Sequence, residues 1–177
     1  MIDHPRWVYL VVSAAPPVLR IEEFITRLSD DGWQVCLLAT PTAASWIDLD
    51  ALTASTGCRT RVTARAPGQQ RSLPRADAIV AAPMTFNSIN KWAAGISDSM
   101  ALSVLNEILG ADVPIIVAPC AKALLRQHPA YAHSVARLTA AGVTILDPDA
   151  VTTRGDDGLA TLEWSHIMSA LTARITY

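Results

Sequence analysis

Ala78-Ile79-Val80-Ala81-Ala82-Pro83-Met84-Thr85-Phe86-Asn87-Ser88-Ile89-Asn90-Lys91 passes from an apolar run through a polar turn into helical spacing. Residues 78–82 read as a short strand buried on both faces, the mark of a parallel sheet covered by helices, and Pro83 ends it. From about Ser88 to Leu109 the apolar spacing is helical, with a break near Gly95. The same order of strand, loop and helix recurs on either side. Upstream, Trp7–Ser13 is a first strand, and Ala14-Ala15-Pro16-Pro17 is a loop whose prolines suit a first helical turn. A helix over Arg20–Asp30 stops at Gly32, Gln34–Ala39 is the second strand, and Thr40-Pro41-Thr42 opens the next helix or turn. Downstream, Val113–Val117 and Val143–Leu146 are strands, with a helix over Pro129–Ala140 between them that Gly142 ends. Gly57–Pro74 shows no sustained period and reads as an irregular connection; the tail reads as a loop at Arg154–Gly158 and a final helix over Leu162–Ala173.

This alternation predicts an α/β fold: a Rossmann-like (flavodoxin-like), three-layer open parallel sheet with helices on both faces. Such sheets bind ligands beyond the carboxyl ends of their strands, where loops meet helix N-termini. The candidate site therefore lies in the loops Ser13–Pro17, Thr40–Ala44, Pro83–Asn90 and Pro119–Lys122.

The chain has 177 residues, 51% of them hydrophobic and 17% charged, enough apolar material for a real core and too much for disorder. That length predicts one domain over 1–177, with a core over about 7–148 and a C-terminal loop and helix over 149–177. A formal charge of −2 gives no basic field to hold a phosphate backbone, so nucleic acid is not an expected partner. No apolar run approaches the roughly 20 residues of a membrane span, and no cleavable leader is legible, which predicts a cytoplasmic protein with no membrane partner. Three cysteines, Cys36, Cys58 and Cys120, are widely spaced and lack a CxxC pair, so reduced thiols are expected.

Thr85, Asn87 and Ser88 cluster where a helix begins. Free backbone N–H groups and the positive end of the helix dipole make such a place suited to a phosphate. On spacing alone an ordinary helix cap is the better explanation, since it accounts for Asn87 or Ser88 without any ligand. The wider segment, however, resembles the P-x-[ST]-x-N-[ST]-[IL]-x-K-x-A-x-G-[IL]-[AS]-D signature of the homo-oligomeric flavin-containing cysteine decarboxylases. Pro83, Thr85, Asn87, Ser88, Ile89, Lys91, Ala93, Gly95, Ile96, Ser97 and Asp98 match it. The resemblance covers roughly residues 7–148 and implies FMN as cofactor, with FAD as the alternative. It gives Thr85, Asn87 and Ser88 to the flavin phosphate and ribityl chain. Thr40 and Thr42, in the segment after strand two, are further cofactor candidates, with turn or cap chemistry as the plain alternative. Ser13 and Ala14 complete the cofactor set in the first loop. The resemblance also implies a homo-oligomer, trimer or dodecamer, with flavin between subunits.

Departures from the family pattern bear on the chemistry. Where the family has Gly-Ser in the first loop, this chain has Ala14-Ala15, followed by a stiff Pro16-Pro17 pair poor in N–H donors. The family's catalytic histidine falls on Gln69, which cannot shuttle a proton near neutral pH. Its P-x-M-N motif becomes Pro119-Cys120-Ala121-Lys122, so a lysine replaces the asparagine that grips the substrate's carboxylate. Its glycine-rich clamp with a reductive cysteine would fall near 150–165, where this chain has no cysteine. In the family a substrate thiol gives a hydride equivalent to the oxidised flavin, and carbon dioxide leaves the resulting thioaldehyde. Here no catalytic residue is assigned. Lys122, Cys120 and Gln69 are the candidates for substitute groups.

Other constellations carry less. His128 and His133 stand at i and i+5 and make no metal pair, so no metal is expected; His128-Pro129 reads as a helix cap. Cys120 would be nucleophilic if a helix terminus or Lys122 lowered its pKa, and inert if buried. Trp7, Trp33, Trp46, Trp92 and Trp164 read mostly as core or subunit contact, with Trp46 or Trp92 as candidates to border a flavin ring. Asp98 reads as structural, and Arg59, Arg61, Arg65 and Arg71 as a solvated loop. The expected function is an FMN-binding flavoprotein, a divergent flavoenzyme without the standard decarboxylation machinery, acting on an unidentified small molecule or peptide. The alternatives are a non-catalytic flavin-binding or scaffold module, and a true decarboxylase working through substitute residues. Flavin prenyltransfer ranks last, because the first loop and Pro119–Lys122 lack its phosphate-binding features.

Overall fold

The computed structural model describes residues 4–66, 68 and 72–175. Its centre is a parallel sheet of strands β1 (Arg6–Val12), β2 (Trp33–Ala39), β3 (Arg59–Arg61), β4 (Ala78–Met84), β5 (Ile115–Pro119) and β6 (Thr144–Ile145). The order across the sheet is β3-β2-β1-β4-β5-β6. The chain starts in the middle, winds to one edge through β2 and β3, then returns beside β1 and winds the other way. The carboxyl ends of β1 and β4 thus flank the topological switch point, where an open α/β sheet leaves a crevice.

Side chains alternate across each strand, and both faces are buried. Val8, Leu10 and Val12 join a core with Phe24 and Leu28 of α1 (Ile21–Asp30) and Ile167 and Leu171 of α9 (Trp164–Ile175). Tyr9 and Val11 face the opposite way. They pack with Trp92 of α4 (Phe86–Ala93), Leu105 of α5 (Met100–Ile108) and Leu138 of α7 (Pro129–Ala140). The expected three-layer α/β sandwich follows from these two cores.

Several elements differ from the sequence reading, among them the short helices α3 (Leu49–Thr56) and α8 (Pro148–Val151), which it did not expect. The Gly57–Pro74 segment, expected to be irregular, contains β3, which pairs Arg59 with Cys36 and Arg61 with Leu38 at the sheet edge. An edge strand of three polar residues has no apolar run to announce it, because the ladder to β2 supplies its order. The tail holds an antiparallel hairpin of β7 (Thr152–Arg154) and β8 (Ala160–Leu162), whose turn over 155–159 is offset by one residue from the expected loop. Leu162 is consequently a strand residue, and α9 begins two residues later at Trp164. The helix after β4 breaks as expected, into α4 and α5, with Gly95 at φ 75° where a side chain would be strained. Among the described residues no helix is long and apolar enough to cross a membrane.

Cys36 is fully buried on β2, and burial pushes its thiol up to about 11. In the unfolded chain the thiol ionises first, near pH 8.5 to 9, so stability is intact below that range and is lost as pH rises toward 11. Denaturation across pH 8–11 is expected to show this decline, and a Cys36→Val variant to flatten it. Tyr9, raised by burial to about 12, adds a separate loss above pH 10 that Tyr9→Phe removes.

Candidate functional site

Backbone hydrogen bonds stitch the loops at the carboxyl edge of the sheet. Ser13 N–H donates to the Pro83 carbonyl at 3.0 Å, Thr40 N–H to Val12 at 3.0 Å, and Cys120 N–H to Met84 at 2.8 Å. Ser13 adds a second tie. Its hydroxyl, 1% exposed, donates to the Pro83 carbonyl at 3.0 Å and accepts from Thr85 N–H at 2.8 Å. The single hydroxyl proton is therefore committed, and Ser13 acts as a strut between β1 and the turn after β4. Ser13→Ala leaves the half-buried Thr85 N–H without its acceptor. It is expected to cost about 1–3 kcal/mol in urea denaturation of the flavin-free protein.

Thr85 is the N-cap of α4. Its Oγ1 accepts from Ser88 N–H at 3.2 Å and donates to Ser88 Oγ at 3.1 Å, which leaves the Ser88 hydroxyl proton uncommitted. The amides of Phe86 and Asn87, at the first two helical positions, have no intrahelical acceptor. Asn87 is exposed, and its side chain makes no hydrogen bond with the described residues. Thr40 caps the short helix α2 (Pro41–Ala44), accepting from Ala43 N–H at 3.4 Å.

These groups surround one cavity of about 450 Å³. Ser13, Ala14, Thr40, Thr42, Thr85, Asn87 and Ser88, the whole cofactor set expected from the sequence, line it together. Its far wall is Lys91, Asp98 and Ser99. Lys91 and Asp98 form an ion pair at 2.5 Å, and Ser99 caps α5 through Leu102 N–H at 3.3 Å. Ser99 was not legible as a wall residue: its signal is that of an ordinary cap, and only the fold of α5 back against α4 brings it here.

A second cavity of about 640 Å³ adjoins the first, sharing Ala14, Thr85 and Asn87 with it. Cys120 and Lys122 line it, Lys122 at the start of α6 (Ala123–Arg126), together with Phe86, Leu125 and Leu159. Burial raises the Cys120 thiol above its ordinary value, and no neighbouring charge lowers it, so the group is a neutral thiol at pH 7. Gln69 lies outside the described residues.

Several other candidates stand elsewhere. His128 caps α7, its Nδ1 accepting from Ala130 N–H at 3.1 Å, with its ring edge-on to Phe86. Trp92, with Trp33 and Trp164, is buried in the core and lines neither cavity; Trp46 is exposed but lines neither as well. A flavin-bordering role for Trp92 is thus excluded by its packing. Arg59 stacks 4.5 Å over Trp7 near the amino ends of the strands, away from both cavities. No group of three or more His, Cys, Asp or Glu side chains able to hold a metal occurs among the described residues.

Comparison with known proteins agrees with this architecture. Over 161 residues the chain is 29% identical to the coenzyme A biosynthesis bifunctional protein CoaBC of Mycobacterium bovis, a match covering 84% of this chain and 36% of that protein. The chain thus spans about a third of the length of the curated relatives it matches. A PPC decarboxylase mutant in complex with pantothenoylaminoethenethiol superposes with a TM-score of 0.76 at 18% identity, covering 96% of this chain and 98% of that one. The FMN-dependent cysteine decarboxylase TvaF from thioviridamide biosynthesis gives 0.76 at 19% identity, covering 97% and 99%. At these identities the likeness is one of fold. The family model described as Flavoprotein matches residues 2–176, and the chain belongs to that flavoprotein family.

Proposed function

We propose that this protein binds FMN, with the phosphate and ribityl tail in the cavity at the switch point. The carrying observation is the convergence of three loops, after β1, β2 and β4, on one polar cavity at the start of α4. The groups present fit an anionic tail. The free amides of Phe86 and Asn87, the uncommitted Ser88 hydroxyl and the Lys91 ammonium can each donate to phosphate oxygens. Thr42, whose hydroxyl has no partner among the described residues, adds a donor from the second loop. The cavity volume falls within the roughly 300–1,000 Å³ of ligand pockets. When bound, the flavin supplies a two-electron acceptor; this chain's residues hold and orient it.

Purified protein is expected to be yellow and to release FMN on heating. Colourless protein that gives neither heat nor fluorescence quenching on FMN titration sinks the reading, and release of FAD replaces FMN by the alternative.

The reaction we infer departs from thiol-dependent decarboxylation. No histidine lines either cavity among the described residues, Asp98 is paired with Lys91, and Cys120 is protonated at neutral pH. The same observations support a non-catalytic flavin module as the second reading. Mixing the FMN-loaded protein with phosphopantothenoylcysteine or a cysteine-ended peptide separates these from a true decarboxylase, which would bleach the flavin and draw on Lys122, Cys120 or Gln69. We also propose a homo-oligomer, trimer or dodecamer. Leu19, Trp46, Ile96 and Leu124 leave large apolar surfaces exposed, which association would cover; native mass spectrometry counts the subunits.

A further inference from the structure

Among the described residues in the wall of the first cavity, Lys91 and Asp98 are the charged ones, and they pair with each other. The other polar side chains there are hydroxyls and the amide of Asn87. The side chains that would meet an anionic tail therefore carry no net charge. An ammonium has three N–H donors, so Lys91 can hold Asp98 and still donate to a phosphate, but the carboxylate cancels its charge.

A purely structural role for the pair, fastening α4 to the turn before α5, is already filled by other contacts. Ile96 N–H donates to the Lys91 carbonyl at 2.9 Å. From α5, Asn106 Nδ2 donates to the Ile96 carbonyl at 3.0 Å and to Ser97 Oγ at 2.9 Å, and the Ser99 side chain caps the helix. The turn that carries Asp98 is thus pinned from both sides without the Lys91 ammonium. If Lys91 swings to a phosphate, Asp98 stays in the wall unpaired and repels the ligand. If Lys91 stays, the phosphate meets a neutral pair. In both arrangements Asp98 opposes a negative ligand.

We propose that Asp98 is a specificity-determining residue of the flavin cavity, one that holds down its preference for a phosphorylated flavin over the unphosphorylated one. The assignment rests on the flavin reading and adds a division of labour to it. The donors at the start of α4 recognise the phosphate through hydrogen bonds, and Asp98 withholds the net positive charge that would grip it harder. The side chains of Lys91 and Asp98 are 33% and 49% exposed, so the effect is open to screening by salt.

The test is fluorescence titration of FMN and of riboflavin into flavin-free wild-type protein, Asp98→Asn and Asp98→Ala. Riboflavin shares the ring and ribityl chain and lacks the phosphate, so the ratio of the two affinities isolates the tail. At about 20 mM salt both variants are expected to bind FMN about tenfold more tightly than wild type, with riboflavin changed less than about twofold. At about 500 mM salt the gain is expected to fall to about threefold or less. Asn keeps an acceptor for Lys91 and Ala does not, so a gain in both assigns the effect to charge and not to the aim of the ammonium. Lys91→Gln is expected to act in the opposite sense, weakening FMN about tenfold and sparing riboflavin. Thermal unfolding of the flavin-free Asp98 variants is expected to match wild type, because exposed ion pairs stabilise little. Unchanged or weaker FMN binding in either Asp98 variant, or an equal gain for riboflavin, overturns the assignment and leaves the flavin reading standing. Absence of binding by both flavins in wild type and variants alike removes the flavin reading and this assignment with it.

Discussion

Changing Asn87 to aspartate is expected to weaken FMN binding about 10- to 100-fold while leaving the flavin-free protein as stable as before, or slightly more so. The two effects have opposite signs because they arise from the same field. Asn87 is the second residue of α4, where the helix dipole favours a negative side chain by about 0.3–1 kcal/mol. The phosphate uses that field too. Two like charges about 5 Å apart at an effective dielectric of about 20 repel by about 3 kcal/mol, and solvent screening reduces this to the stated range. Flavin fluorescence titration gives the affinity and thermal unfolding the stability, and raising the salt concentration is expected to narrow the affinity gap. Unchanged FMN affinity in Asn87→Asp would remove the phosphate from the start of α4.

The largest stability loss is expected at Phe24→Ala, about 3–5 kcal/mol, read as a lower urea midpoint. Phe24 is fully buried on α1, and its ring stacks on Trp164 of α9 at 4.9 Å between centroids and 17° between planes. The contact joins residues far apart in the chain, so the variant also tests whether the C-terminal segment 149–177 belongs to the single proposed domain. Phe24→Ala, Trp164→Ala and the double variant are expected to show a coupling of about 0.5–1.5 kcal/mol and one cooperative transition. Independent losses, or two transitions, would separate α9 from the core.

The strand, loop and helix rhythm was legible because a parallel sheet buries both faces of its strands, so each inner strand is written as an unbroken apolar run. The candidate cavity was legible for the same reason. In an open sheet the loops after successive strands emerge at one end, so Ser13, Thr40, Thr42, Thr85 and Ser88 could be expected together before any distance was measured. Edge strand β3 was not legible, because its order comes from pairing with β2 and not from its own side chains. The hairpin of β7 and β8 was missed likewise, since strands of three residues carry too little periodicity to stand out from a loop.

By itself the sequence determined the layered α/β architecture and the cluster of hydroxyls and amides at the start of α4, since both follow from local spacing and from rules that hold wherever a strand meets a helix. What those groups are free to do is set by contacts made across the fold. Folding spent the Ser13 proton on Pro83, paired Lys91 with Asp98, buried Trp92 and kept the Cys120 thiol protonated. It also brought Lys122 and Arg154, far apart in the chain, to one apolar cavity. Whether a donor or a charge is available depends on which partner reaches it across the fold, and that partner is set by packing at long range, which local spacing does not encode.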